Sequence, residues 1–378
     1  MPLLLNDNQV MLRDTARPFL AKQAPVSHLR ALRDSDDPRG FSRDLWSEFG
    51  AMGFTGVLFS EEVGGLGLGH VEAGVVLEEI GRNLTPSPFL STAIGAGAAL
   101  AEAGANLKAR WLPPILTGEA VVAVAVDETA RHHPERIGLR AYRSGAGFRL
   151  DGVKTFVPHG HIADLVIVAA RTSGSEMAAR GVTLFAIPAD STLHATPARL
   201  IDASLASDLR FAGIAVGADS VIGQVDQGGV ILSRTLDALR VGAAAEQLGV
   251  GYGAMERTVA YLKERRQFGV AIGSFQALQH RLADMLLHTE LARSMSYLAS
   301  AKLAVSDATE RRRAISAAKF LVGRAARFVG QQAVQLHGGM GVSDELATSH
   351  YFKRLTLINA SFGDMDHHLA RFGSLMAA

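Results

Sequence analysis

Cysteine is absent from this 378-residue chain, which excludes disulfides and thiolate metal sites. That absence fits a reducing compartment, so a cytoplasmic location is the expectation. An excess of one charge is missing too. Lys and Arg number 38 against 37 Asp and Glu, so no electrostatic case exists for a nucleic-acid partner. The most apolar runs, near 91–101 and 121–126, fall short of the ~20 residues that span a bilayer, and no membrane insertion is expected. The opening MPLLLNDNQ lacks a basic segment and a long apolar core, so no signal peptide is expected either. Internal repeats, low-complexity tracts and disordered linkers are likewise missing. A chain of this length can hold two or three domains, or one composite unit with a sizeable core.

What is present changes character twice. Residues 1–118 read as helices, with apolar periodicity at 5–20, at 44–52 after a Ser42 cap, and at 70–82 through Val71, Val75, Leu77 and Ile80. A small-residue helix at 87–103 and another at 106–116, with Trp111 and Pro113–Pro114, complete this part. The cluster Gly64-Gly65-Leu66-Gly67-Leu68-Gly69 follows no strand of a βαβ unit, so it reads as a turn rather than a phosphate loop. Residues 119–227 carry short β-rich runs at 121–126, 138–143, 148–151, 165–170, 182–187 and 209–216, which predict a small antiparallel barrel or sandwich. Residues 228–378 are helical again, and four long helices imply an antiparallel bundle.

The stretch 236–285 holds the most chemistry. Leu236, Leu239, Ala243, Leu248, Met255, Val259 and Leu262 recur at helical spacing, and small residues between them let a neighbour or a flat ligand approach closely. Lys263, Arg265, Arg266 and then Gly269 mark a helix end, and Ser274 is placed to cap the next helix. The turn Arg265-Arg266-Gln267-Phe268-Gly269 offers guanidinium groups and a ring beside glycine, suited to a pyrophosphate and a planar base; a solvated helix end is the plainer reading. Glu246 stands among alanines, where desolvation would raise its pKa toward that of a base. The plainer reading there is an ion pair with a neighbouring subunit's arginine.

The phrases ERRQFG, IGSFQALQHRLADM and QLHGGMG resemble the C-terminal helical domain of the acyl-CoA dehydrogenase flavoproteins. FSEEVGGLGLGHVEAGVVLEEIGR is similar to a landmark of that family's N-terminal helical domain. The resemblance implies a mixed α and β fold: an N-terminal helical domain, a middle β-barrel or sandwich and a C-terminal four-helix bundle. It implies FAD as cofactor and α,β-dehydrogenation of a CoA thioester, with a carboxylate lifting the α proton and the flavin accepting the β hydride. SLASDLRFAGIAV, KTFVPHGHIADLVIVAAR and YFKRLTLINASFGDMDHHL look most like the branch acting on steroid side-chain or other bulky thioesters.

Carried onto this sequence, the resemblance assigns Arg265, Phe268, Gln276, Gln335, Gly338 and Gly339 to the nucleotide end of FAD. It assigns Phe156 to the aromatic wall of the flavin ring, and Asp237 and Arg240 to the CoA nucleotide. Neither of the family's usual bases is present, for Gly363 and Leu239 occupy their positions. Glu246, two turns beyond Leu239, is the expected base, with Asp364 beside Gly363 as the alternative. The family's Thr-Glu-Pro and Gly-Ser phrases are replaced by VDETARHHPERIG, which puts Asp127 where threonine is usual. An acid facing the flavin would disfavour its reduced anion. The pairs His132–His133, His159/His161 and His367–His368 show no carboxylate or third histidine at ligand spacing, so no metal is expected. The functional expectation is thus a dehydrogenase subunit in a homo- or hetero-oligomer, dimer or tetramer, passing electrons to an electron-transfer flavoprotein or similar acceptor. A non-catalytic partner subunit and a same-fold flavin monooxygenase are the alternatives.

Overall fold

The computed structural model describes residues 4–189 and 192–377. In chain order its helices are α1 Asp7–Gln23, α2 Val26–Asp34, α3 Arg43–Ala51, α4 His70–Asn83, α5 Gly97–Leu100, α6 Ala105–Leu116, α7 Gly228–Glu264, α8 Gln276–Lys302, α9 Ala308–His337, α10 Thr348–Ala360 and α11 Met365–Ala377. The strands are β1 Val122–Ala125, β2 Arg140–Ser144, β3 Gly147–Pro158, β4 Leu165–Arg171, β5 Val182–Pro188, β6 His194–Arg199, β7 Leu205–Val216, β8 Val221–Ile222, β9 Arg266–Gln267 and β10 Val270–Ala271. Contacts divide the chain into two compact units that do not follow chain order. One combines the segment up to Asp34 with His70–Pro86 and everything from Arg240 onward; the other combines Ser35–Gly69 with Ser87–Leu239.

The second unit is built on one eight-stranded sheet in the order β6-β7-β3-β2-β4-β5-β8, with β1 also paired to β4. The expected antiparallel pattern needs correction here, because β1 runs parallel to β4 from Val122↔Leu165 to Ala125↔Val168. The reason lies in burial. Every residue of β1 and β4 is buried, and unbroken apolar strands covered on both faces suit parallel pairing. β6 was not foreseen: HATPAR is almost wholly exposed, so its side chains carry no alternation, and its backbone pairs with β7 all the same. The core under the sheet gathers Phe148, Leu150, Val166, Val168, Phe185, Leu209 and Phe211, with Phe148 edge-on to Phe185 at 5.2 Å. Residues 87–103 hold a π-helical segment, Leu90–Ala96, leading into the short α5.

The first unit is helical. α7 is buried nearly all round from Leu236 to Ala254, as a central helix must be. Its small residues serve a neighbouring backbone: a β-carbon on Gly249 would stand 1.8 Å from the carbonyl oxygen of Glu78 in α4, and one on Gly81 2.1 Å from that of Glu246. Ala244, Leu248 and Tyr252 pack with Ala292 of α8 and Val322 and Ala325 of α9. Ser274 is not the cap of α8. Its hydroxyl donates to the Ala271 carbonyl at 2.7 Å and closes a 3-10 turn, and α8 starts at Gln276 after an extended Phe275. A fifth C-terminal helix, α11, follows the four expected.

Candidate functional site

At one end of the helical unit α7 runs into a hairpin. Arg265 donates its backbone N–H to the Tyr261 carbonyl at 2.8 Å, and β9 and β10 then pair through Val270↔Gln267. The two turn residues, Phe268 and Gly269, both have positive φ (56° and 80°), as a tight primed hairpin requires. A phenylalanine in the left-handed region is strained by about 1–3 kcal/mol, and such strain gathers at functional positions. The turn holds Phe268 89% exposed, edge-on to Phe275 at 6.1 Å. Arg265 and Gln276 are exposed beside it.

The end of α9 meets the end of α7. The Tyr261 ring stacks on His337 at 4.3 Å between centroids, and Gly338 and Gly339 follow at once, with Gln335 exposed in the preceding turn. A β-carbon on either glycine would meet nothing within 4 Å. The structure therefore brings Arg265, Phe268, Gln276, Gln335, Gly338 and Gly339 to one end of one unit. Guanidinium donors, an exposed ring and bare glycine backbone are groups that fit a dinucleotide's diphosphate and base.

The acidic candidates lie elsewhere in this unit. Glu246 is 4% exposed, and its Oε1 accepts from Arg354 of α10 through Nε at 2.9 Å and through Nη2. The arginine of the plainer reading thus exists, and it is in the same chain. Asp364 accepts the backbone N–H of His367 at 2.8 Å and so caps α11. Between α10 and α11 the chain turns through Phe362 (φ 58°) and Gly363 (φ 99°). Three buried donors clamp that corner. Lys319 Nζ reaches the carbonyls of Ser361 at 3.0 Å and Ile358 at 3.2 Å, Arg240 Nε reaches Phe362 O at 3.2 Å, and His368 Nε2 reaches the same oxygen at 3.1 Å. Burial, reinforced by Arg240, pushes the Lys319 ammonium down to about 7, and Asp364 opposes the shift. Arg240 is 2% exposed and engaged in this clamp.

In the sheet unit, the register of β3 slips against β7 between Lys154 and Val157. This bulge turns Phe156 outward with φ 51° and 38% exposure, its N–H donating to Asp208 at 3.3 Å. The neighbouring Thr155 N–H donates to the Asp127 carbonyl at 2.8 Å. The Asp127 carboxylate faces His132 Nδ1, 2.9 Å from each oxygen, and also accepts the His133 N–H. No ligand spacing in the sequence announces this contact; Asp127 reaches His132 because the loop folds back on itself. Glu128 is committed likewise, accepting from buried Lys154 at 2.7 Å and from the N–H groups of Gly138 and Leu139. His161 bridges the Pro38 carbonyl and Ser207. Among the described residues no three His, Asp or Glu side chains gather as a metal site. Asp237 is fully buried in this unit, and Leu239, 1% exposed, packs against the π-helical segment at Gly95.

Family models for the acyl-CoA dehydrogenase N-terminal domain and C-terminal domain match residues 6–119 and 226–371. A solved steroid ACAD variant, Tcur3481-Tcur3483, is 30% identical and superposes with a TM-score of 0.87 over 98% of each chain. The chain belongs to the acyl-CoA dehydrogenase family. Its fold is that of the family, with helical N- and C-terminal domains around a central β region, and the family's members are FAD-binding oxidoreductases acting on CH–CH groups. The ChsE4-ChsE5 complex from Mycobacterium tuberculosis is 26% identical, with a TM-score of 0.89 over 100% of this chain and 99% of the other. The caffeyl-CoA reductase-Etf complex subunit CarC of Acetobacterium woodii is 26% identical over 93% of both chains. Sequence reading of this dehydrogenase relative missed Arg354, Lys319 and the Tyr261–His337 stack. Glu246 and Arg354 are 108 residues apart, and no local spacing announces such a pair.

Proposed function

We propose that this chain is the flavin-holding subunit of a heteromeric acyl-CoA dehydrogenase, supplying the nucleotide cradle while a related subunit supplies the base. The observation that carries this reading is the commitment of both candidate carboxylates, Glu246 to Arg354 and Asp364 to the start of α11. A general base has to reach the proton it removes, and a carboxylate held by a guanidinium inside a helix bundle is a structural anion. The sheet unit supports the same view. Where the family carries its Thr-Glu-Pro and Gly-Ser phrases, this chain closes a loop in which the Asp127 carboxylate takes His132 Nδ1 and the His133 N–H.

On this reading Arg265, Phe268, Gln276, Gln335, Gly338 and Gly339 hold the adenosine diphosphate half of FAD. FAD would supply the hydride acceptor when bound, and a related subunit would supply the groups that face its ring. Arg240 orders the α10–α11 corner through its bond to the Phe362 carbonyl. The substrate is a CoA thioester with a bulky or steroid-derived chain, a choice supported by the 30% identity to a steroid enzyme. An electron-transfer flavoprotein is the proposed acceptor, in line with the Etf complex named for the Acetobacterium relative.

Gly339→Val tests the cradle. The position has ordinary φ and open space, so the fold accepts the side chain, which then stands where the diphosphate would lie. FAD affinity should fall at least ~10-fold at unchanged Tm. Unaltered FAD affinity would remove the cradle from the account.

A further inference from the structure

We propose that Tyr261 and His337 are positioning residues that fix the spacing between the two halves of the nucleotide cradle, the 265–269 hairpin and the 338–339 turn; the proposal rests on the FAD reading above. Each ring is tied through the backbone to the half it would hold. The Tyr261 carbonyl accepts the Arg265 N–H at 2.8 Å, and His337 is bonded directly to Gly338. Between them the rings stack at 4.3 Å with planes 27° apart, and the Tyr261 hydroxyl reaches toward the His337 carbonyl at 3.5 Å.

The imidazole is locked from a third direction. A carbonyl oxygen only accepts, so the 2.7 Å contact with Ala333 assigns the proton to Nδ1. Nε2 of the neutral ring then accepts from the Thr348 hydroxyl at 3.2 Å, which ties in the first turn of α10. Burial lowers the proton affinity of His337, against the pull of the Ala333 carbonyl, and keeps the ring in this neutral tautomer. One ring thus joins the ends of α7 and α9 to the start of α10. At 5% exposure it is too buried to be a ligand contact itself. A diphosphate gripped from two sides demands placement to within about 0.5 Å, so slack in the stack costs affinity before it costs the fold.

Titration of the full chain with FAD, and with ADP as a probe of the nucleotide half, tests this. Tyr261→Phe keeps the ring and should bind FAD within about twofold of wild type, whereas Tyr261→Leu loses the stack and should bind about tenfold more weakly. Combining Tyr261→Leu with Arg265→Ala should weaken binding little beyond Arg265→Ala alone, because spacing ceases to matter once the hairpin's guanidinium is gone. If Arg265→Ala weakens binding and Tyr261→Leu does not, or if the two losses simply add, the positioning role is overturned while the cradle stands. If Arg265→Ala leaves affinity unchanged, the cradle itself is misassigned and the proposal falls with it.

Discussion

Replacing Arg354 by methionine separates a structural Glu246 from a catalytic one. The wild-type pair is a two-pronged Arg–carboxylate contact with side chains 29% and 5% exposed. Truncating one partner of a buried pair typically costs about 3–5 kcal/mol, because the other charge is left desolvated. The part-exposed guanidinium lowers that to about 2–4 kcal/mol, or a Tm drop of about 3–5 °C in a chain of this size. Glu246→Leu combined with Arg354→Met removes both charges and should recover most of the loss, giving a coupling of about 2–3 kcal/mol in a double-mutant cycle. Calorimetry or urea titration of the four proteins reads this directly. An Arg354→Met variant as stable as wild type, or purely additive losses, would refute the reasoning and return Glu246 to the list of available bases.

Three further outcomes follow from named groups. Burial pushes Glu78 up to about 7 from the ordinary 4.5, so between those pH values the folded chain keeps a proton that the unfolded chain has released, and stability falls as pH rises through that window. Glu78→Gln should therefore gain on wild type from pH 4.5 to 7, by about 1–3 kcal/mol at the top, and a pH-independent difference in urea stability would contradict it. Gly363→Ala should lose about 2–4 kcal/mol, since the residue has φ 99° and a β-carbon would stand 2.5 Å from the His367 ring; thermal melts check it. For the same reason Gly363→Glu should not restore a base, and any gain of acyl-CoA-dependent flavin reduction in that variant would show the corner to be more open than described.

The fold was legible where burial is periodic or continuous. α7 announced itself through apolar residues at helical spacing, and β1 and β4 through unbroken apolar runs, although their parallel pairing did not, since neither run records its direction. β6 was illegible because the backbone of β7, rather than its own exposed side chains, makes it a strand. The two turns of the proposed cradle, 265–269 and 335–339, are each local, and their assignment to a nucleotide rests on the family resemblance. Glu246 could be seen as a buried acid and not as a paired one, for its partner lies on another helix and long-range pairing leaves no local trace. The clamp of Lys319, Arg240 and His368 on the α10–α11 corner was hidden for the same reason. Backbone carbonyls accept these bonds, and any sequence supplies carbonyls.

The central claim is that this chain holds FAD without providing the base. The most direct measurement is anaerobic addition of an acyl-CoA to the chain loaded with FAD in the absence of any other subunit, following the visible flavin absorbance, with dithionite as the control for reducible flavin. The account predicts that dithionite bleaches the flavin and acyl-CoA does not. Bleaching by acyl-CoA alone would contradict it, because a complete dehydrogenase site would then lie within copies of this one chain.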